Sequence, residues 1–211
     1  MRSWMLTIMI VGAVWAGTIL GKEDTMPDLK GKKVLIVIAA TDFRDEEYFE
    51  PYNRLRQCGA TVTVASSVKG QAVSVFGKIV ATDRQIAECK AEDYDAVVFI
   101  GGPGAAEFFT NATAHALARA AAEQGKVLAA ICIAPVILAN AGVLQGKQAT
   151  CFPALQQQLT MQGARVVKQN VVQDGKLLTA TGPQAAREFA EALVKMLRDA
   201  GGAVPVSSDY P

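Results

Sequence analysis

The residue in this chain best placed for chemistry is Cys132, in the stretch KVLAAICIAPVILANAG. An apolar run ends at this cysteine and a helical one begins. A thiol at such a strand-to-helix turn stands clear of its neighbours and faces the N-terminal end of a helix, whose free N–H groups favour a thiolate. That is the position of a nucleophile. The chain has a single histidine, His115, far away in NATAHALARAAA. With Ala114, Leu117 and Ala121 on the buried face of that helix, His115 belongs at its surface or boundary, so the usual base for a reactive cysteine is missing.

The elements that must position Cys132 follow from hydrophobic periodicity. VLIVIAA (34–40), TVTVA (61–65), DAVVFI (95–100) and VLAAI (127–131) are short apolar strands, most of them too continuous to have one wet face. Helices are expected over 45–57, with Pro51 inside and Gly59 as a stop, over 113–124 and 134–140, in the glutamine-rich stretch after Cys151, and over 183–198. A short helix is expected at 84–90. Two β-like runs flank Gly77 within 72–82, and Asp174-Gly175 marks a hairpin turn within 171–179. Short strands are expected at 148–151 and 164–167. The alternation describes a doubly wound, mostly parallel α/β sandwich with a β-hairpin insertion. Ligands in such folds sit beyond the carboxyl ends of the strands, where the loops 41–47, 101–104 and 132–135 converge.

At 211 residues, 51% hydrophobic and 19% charged, the chain suits one domain with a buried core. Its 21 basic and 20 acidic residues leave a net charge of +1 without blocks of either sign, which argues against nucleic acid as a partner. Small molecules or other proteins fit better. After Arg2, the run from Ser3 to Gly21 is uncharged and resembles a secretory signal, with Val14 and Ala16 as small residues before a cut at Gly17. It also lies near the length of about 18 apolar residues needed to span a bilayer. Residues 1–21 are therefore read as a signal peptide or membrane anchor, 22–32 as a linker, 33–198 as the domain and 199–211 as a loose tail. Either N-terminal reading puts the domain outside the cytoplasm, in the periplasm or extracellular space, with membrane contact only through the anchor. The four cysteines show no CxxC spacing, and neither a metal nor a cofactor is expected; Cys58 and Cys89 read as apolar filler. Asn111-Ala112-Thr113 fits a glycosylation acceptor.

Four ordered motifs, KVLIVIAATDFRDEEYFEPYNRLRQCGATVTVAS, DAVVFIGGPGA, KVLAAICIAPVILANAGVLQGK and LLTATGP, together resemble the ThiJ/PfpI family across nearly all of 33–198. That resemblance implies a flavodoxin-like fold, usually a homodimer, with the elbow nucleophile at Cys132. It also implies an acidic partner at Glu47, four residues before Pro51. A protonated Glu47 could donate a hydrogen bond to the Cys132 thiolate, since two like charges at short range raise one pKa. Gly101 and Gly102 fit a strand-end turn close to the sulfur, and the N–H groups of Gly102 and Ile133 could form an oxyanion hole. The family's histidine is absent: many members place it directly after the cysteine, where this chain has Ile133, and others at the end of the next strand, where Thr150-Cys151-Phe152-Pro153 puts Phe152. Cys151 is a candidate resolving thiol, although strand alternation points it away from Phe152.

Without histidine, peptide hydrolysis lacks its base and its acid, so a Cys–His peptidase is disfavoured unless a dimer partner supplies a base. Addition of sulfur to a small reactive carbonyl, as in a glyoxalase or deglycase, needs less assistance. A stress-response role is the expectation, with oxidant sensing or chaperone-like binding as the alternative. The partners would be a small-molecule substrate or oxidant and a second copy of the chain.

Overall fold

The computed structural model describes residues 28–200. The signal or anchor run, most of the linker and nearly all of the tail lie outside the described residues. Seven strands form the main sheet: β1 (Lys33–Val37), β3 (Thr61–Ser66), β6 (Arg84–Gln85), β7 (Ala96–Phe99), β8 (Val127–Ile131), β11 (Val171–Asp174) and β12 (Leu177–Ala180). Their spatial order is β11-β12-β8-β7-β1-β3-β6, with every pair parallel except the β11–β12 hairpin at the edge. This is the expected doubly wound sandwich. Strands β7 and β8 are buried along their whole length, as continuous apolar runs covered on both faces must be.

Helices α1 (Asp45–Gln57) and α5 (Ala186–Asp199) pack together in one layer. The other layer holds α2 (Ala112–Glu123) and α3 (Pro135–Asn140). The hairpin insertion pairs β4 (Gly70–Ser74) antiparallel with β5 (Ile79–Thr82), and β2 (Thr41–Phe43) adds to β4 in parallel. Buried Asp45 ties this hairpin to the start of α1, accepting bonds from Ser74 Oγ–H at 2.7 Å and the Phe76 N–H at 3.1 Å. A short parallel pair, β9 (Gln148–Ala149) with β10 (Arg165–Val166), flanks α4 (Gln156–Met161).

Two expectations are corrected. The segment 84–90 is not a helix: the backbone of β6 pairs with Ala65 and Ser66, and a Gln85–Glu88 capping box closes a single 3-10 turn over Ile86–Glu88. The domain also begins before Lys33, because Leu29, inside the presumed linker, is buried and donates its N–H to the Cys58 carbonyl at 2.7 Å.

The strand order reverses at β1: its chain successor β3 lies on one side, while β7 and β8 lie on the other. The loops leaving β1, β7 and β8 therefore open at a switch point beyond the strand ends, and Cys132 is the first residue after β8.

Candidate active site

Cys132 has φ of +64°, a left-handed conformation that a non-glycine residue adopts only when its surroundings hold it there. Hydrogen bonds do so on both sides of the residue. Its N–H donates to the Ala180 carbonyl of β12 at 2.9 Å, and its carbonyl accepts the Phe152 N–H at 2.8 Å. The sharp turn aims the sulfur out of the sheet into a pocket of about 260 Å³ lined by Arg44, Glu47, Gly102, Pro103, Ile133, Phe152 and Pro183. The N–H groups of Gly102 and Ile133 face the sulfur and pull its pKa downward. As an oxyanion hole, the pair would serve an oxygen carried next to Sγ.

Glu47 comes from the first turn of α1 and is fully buried. Its Oε2 accepts the Gly101 N–H at 3.1 Å, while Oε1 lacks a conventional hydrogen bond; the Cys132 thiol is the side-chain group that the carboxyl engages. A buried carboxyl oxygen without a donor favours the protonated acid. Burial accordingly pushes Glu47 up to about 7, against the downward pull of Cys132, Gly101 and Arg44. Burial and the adjoining Glu47 carboxylate push the Cys132 thiol up to about 12, and the Gly102 and Ile133 amides recover only part of that. The resting sulfur is therefore chiefly a thiol, in contrast to the free thiolate suggested by the elbow position alone. Its reactive form arises when the proton moves to Glu47. A carboxylate tuned to about 7 suits this role better than an ordinary one, because proton transfer is most effective near the working pH.

Gly101 lets the three parts meet. A Cβ there would lie 2.6 Å from both Cys132 Cβ and Glu47 Oε2, and 2.7 Å from the Ile131 carbonyl oxygen. Gly101→Ala is expected to destabilise the fold by about 2 kcal/mol and to separate Glu47 from the sulfur. Urea unfolding measures the first effect and the rate of thiol alkylation at Cys132 the second. Gly102 is needed for its φ of +98° and because a Cβ would press on the Arg44 backbone nitrogen at 2.5 Å.

The remaining candidates fall as follows. Phe152 lies on the rim, 43% exposed, and leaves the pocket open. His115 is half-buried on α2, with Nε2 2.9 Å from the Phe109 carbonyl, and is not among the lining residues. Cys151 is buried, donates its S–H to the Phe152 carbonyl at 3.3 Å, and does not reach the pocket. All four cysteines are free. Cys89 is only partly buried, and its S–H donates to the Gln85 carbonyl. Sequence reasoning missed Arg44 and Pro183. The first shows as a cation at the start of an otherwise acidic helix turn, and the second closes the LLTATGP motif.

A doubly wound sandwich with a strained elbow cysteine and a buried glutamate defines a class of cysteine-centred α/β proteins. The chain belongs to the DJ-1/PfpI family, whose model matches residues 32–196. It is 36% identical over 196 residues to an uncharacterized protein of Methanocaldococcus jannaschii, covering 92% of this chain and 94% of that one. It is 31% identical to a protein of Pyrococcus horikoshii named a deglycase, covering 78% of this chain and 99% of the relative. Among solved structures, a ThiJ/PfpI domain protein from Brachyspira murdochii superposes with a TM-score of 0.78 at 32% identity, over 81% of this chain and 98% of that one.

Proposed function

We propose that this protein is a small-carbonyl enzyme of the glyoxalase or deglycase kind, in which Cys132 adds to a reactive aldehyde and Glu47 carries the proton. The observation that carries this reading is the pairing of the elbow sulfur with a buried carboxyl whose pKa is raised to about 7, at the floor of an open pocket. The deglycase names of the Pyrococcus horikoshii and Pyrococcus furiosus relatives support it. With methylglyoxal, Sγ attacks the aldehyde carbon. The π pair moves to oxygen, and the thiol proton reaches that oxygen through Glu47, giving a hemithioacetal. Glu47 then takes the proton from the former aldehyde carbon while the neighbouring ketone oxygen gains a proton, giving an enediol. The proton on the former aldehyde oxygen is released as that C=O re-forms, and Glu47 returns its proton to the neighbouring carbon, leaving a lactoyl thioester. Water hydrolyses the thioester and restores the thiol. The sum is methylglyoxal plus water to lactate, with no external oxidant or reductant. Incubation of the purified protein with methylglyoxal, followed by proton NMR, is expected to show lactate accumulating; dicarbonyl persisting at the uncatalysed rate would contradict the reading.

A second reading, oxidant sensing by Cys132, draws support from the two amides that face the sulfur, which would hold oxygen atoms added to it. Export or anchoring through the Ser3–Gly21 run, and a homodimer, complete the proposal. The exposed Val73, Phe76 and Ile79 of the hairpin offer an apolar surface for a second copy.

A further inference from the structure

We propose that Arg44 makes the pocket selective for α-oxoaldehydes that also carry a carboxylate, over neutral dicarbonyls; this rests on the reading of Cys132 as a carbonyl nucleophile. Among the described residues, Arg44 is the one cation lining the pocket, beside Glu47, glycine, prolines and apolar side chains. It is held firmly. Its Nε and Nη2 donate to Glu46 at 2.7 and 3.2 Å, its guanidinium lies 4.9 Å over the Phe76 ring, and its backbone N–H donates to the Gly101 carbonyl at 3.0 Å. Nη1 makes no hydrogen bond to any described residue. A guanidinium already fixed by a carboxylate on one edge and a ring on its face loses little freedom on binding a second carboxylate at the free edge.

The placement also runs against helix preference. Arg44 is the N-cap of α1 and makes no side-chain cap, although the positive end of a helix disfavours a cation. That arrangement costs local stability and concentrates positive potential at the pocket mouth. Glu46 moderates it. Asp45 is buried against the hairpin and engaged with Ser74 and Phe76.

The test compares two alkylating agents of nearly the same shape, iodoacetate and iodoacetamide, by the rate at which each labels Cys132 in the peptide-resolved mass spectrum. In both, sulfur displaces iodide from the CH2 group; only one agent carries a carboxylate. Arg44→Gln is expected to lower the iodoacetate-to-iodoacetamide ratio about tenfold, and Glu46→Gln to raise it about threefold by removing the negative charge that offsets the guanidinium and repels a second carboxylate, while Phe76 still holds the group in place. Arg56→Gln removes an equal charge from the exposed far end of α1 and should leave the ratio unchanged. Turnover of dioxovalerate, an α-oxoaldehyde ending in a carboxylate, relative to methylglyoxal should follow the same order. An unchanged ratio in Arg44→Gln, a fall equal to that in Arg56→Gln, or a lower ratio in Glu46→Gln would overturn the proposal. Should neither carbonyl be turned over, the enzyme reading fails and the alkylation ratio still decides the role of Arg44.

Discussion

Cys132→Ala is expected to abolish methylglyoxal turnover, a loss of about a thousandfold or more, because no other of the described residues lining the pocket can form the carbon–sulfur bond. Alanine keeps a Cβ at the same left-handed φ, so the strained elbow and its bonds to Ala180 and Phe152 persist. The variant should therefore remain folded, with a melting temperature close to the parent's. Lactate formation by proton NMR beside thermal unfolding checks both points. Residual turnover at parental level would move the chemistry to another residue.

Glu47→Gln is expected to have the second-largest effect and to separate stability from activity. Glutamine can accept the Gly101 N–H and donate to sulfur as protonated Glu47 does, but it cannot take the thiol proton. Turnover should fall about a hundredfold or more. Stability should move the other way. Below pH 4.5 the carboxyl is protonated in both folded and unfolded chains. Between 4.5 and about 7 the unfolded chain releases its proton while the folded chain retains it, so folding loses stability as pH rises; above about 7 the loss is complete. A gap of that size corresponds to roughly 3 kcal/mol. Urea unfolding across this window should show a decline in the parent that is absent in Glu47→Gln, leaving the variant more stable at neutral pH. Loss of activity together with loss of stability would make Glu47 a structural residue only.

The elements that place the sulfur were legible because their signals are local. The continuous run VLAAI ends where β8 ends, α1 stops before Gly59, and Gly77 turns the hairpin. Segment 84–90 was not legible, since its strand pairing is a bond to β3, about twenty residues away. Within RDEE nothing local separates a buried acid from a solvated one. Glu46 pairs with Arg44, Asp45 bonds to the hairpin and Glu47 meets Gly101 and the sulfur, and only the family motif singled out Glu47. The protonation of Cys132 was misjudged for the same reason. An elbow beside a helix start favours thiolate, whereas burial and a carboxylate from the first turn of α1, far away in sequence, push the thiol upward, and those depend on tertiary distance. The pocket wall, from Arg44 to Pro183, is assembled by loops that meet only in the folded sheet.

The central claim is that Cys132 and Glu47 work as one unit sharing a proton. Labelling by iodoacetamide from about pH 5 to 9, resolved by peptide for all four cysteines, tests it, since each ordinary thiol reacts faster up to its own pKa of about 8.5 or above. The unit predicts that labelling of Cys132 rises with a midpoint near the Glu47 value of about 7 and then levels, ahead of buried Cys58 and Cys151, with the midpoint lost in Glu47→Gln. Labelling of Cys132 slower than that of half-exposed Cys89 at every pH, rising without a plateau and alike in both proteins, would contradict it.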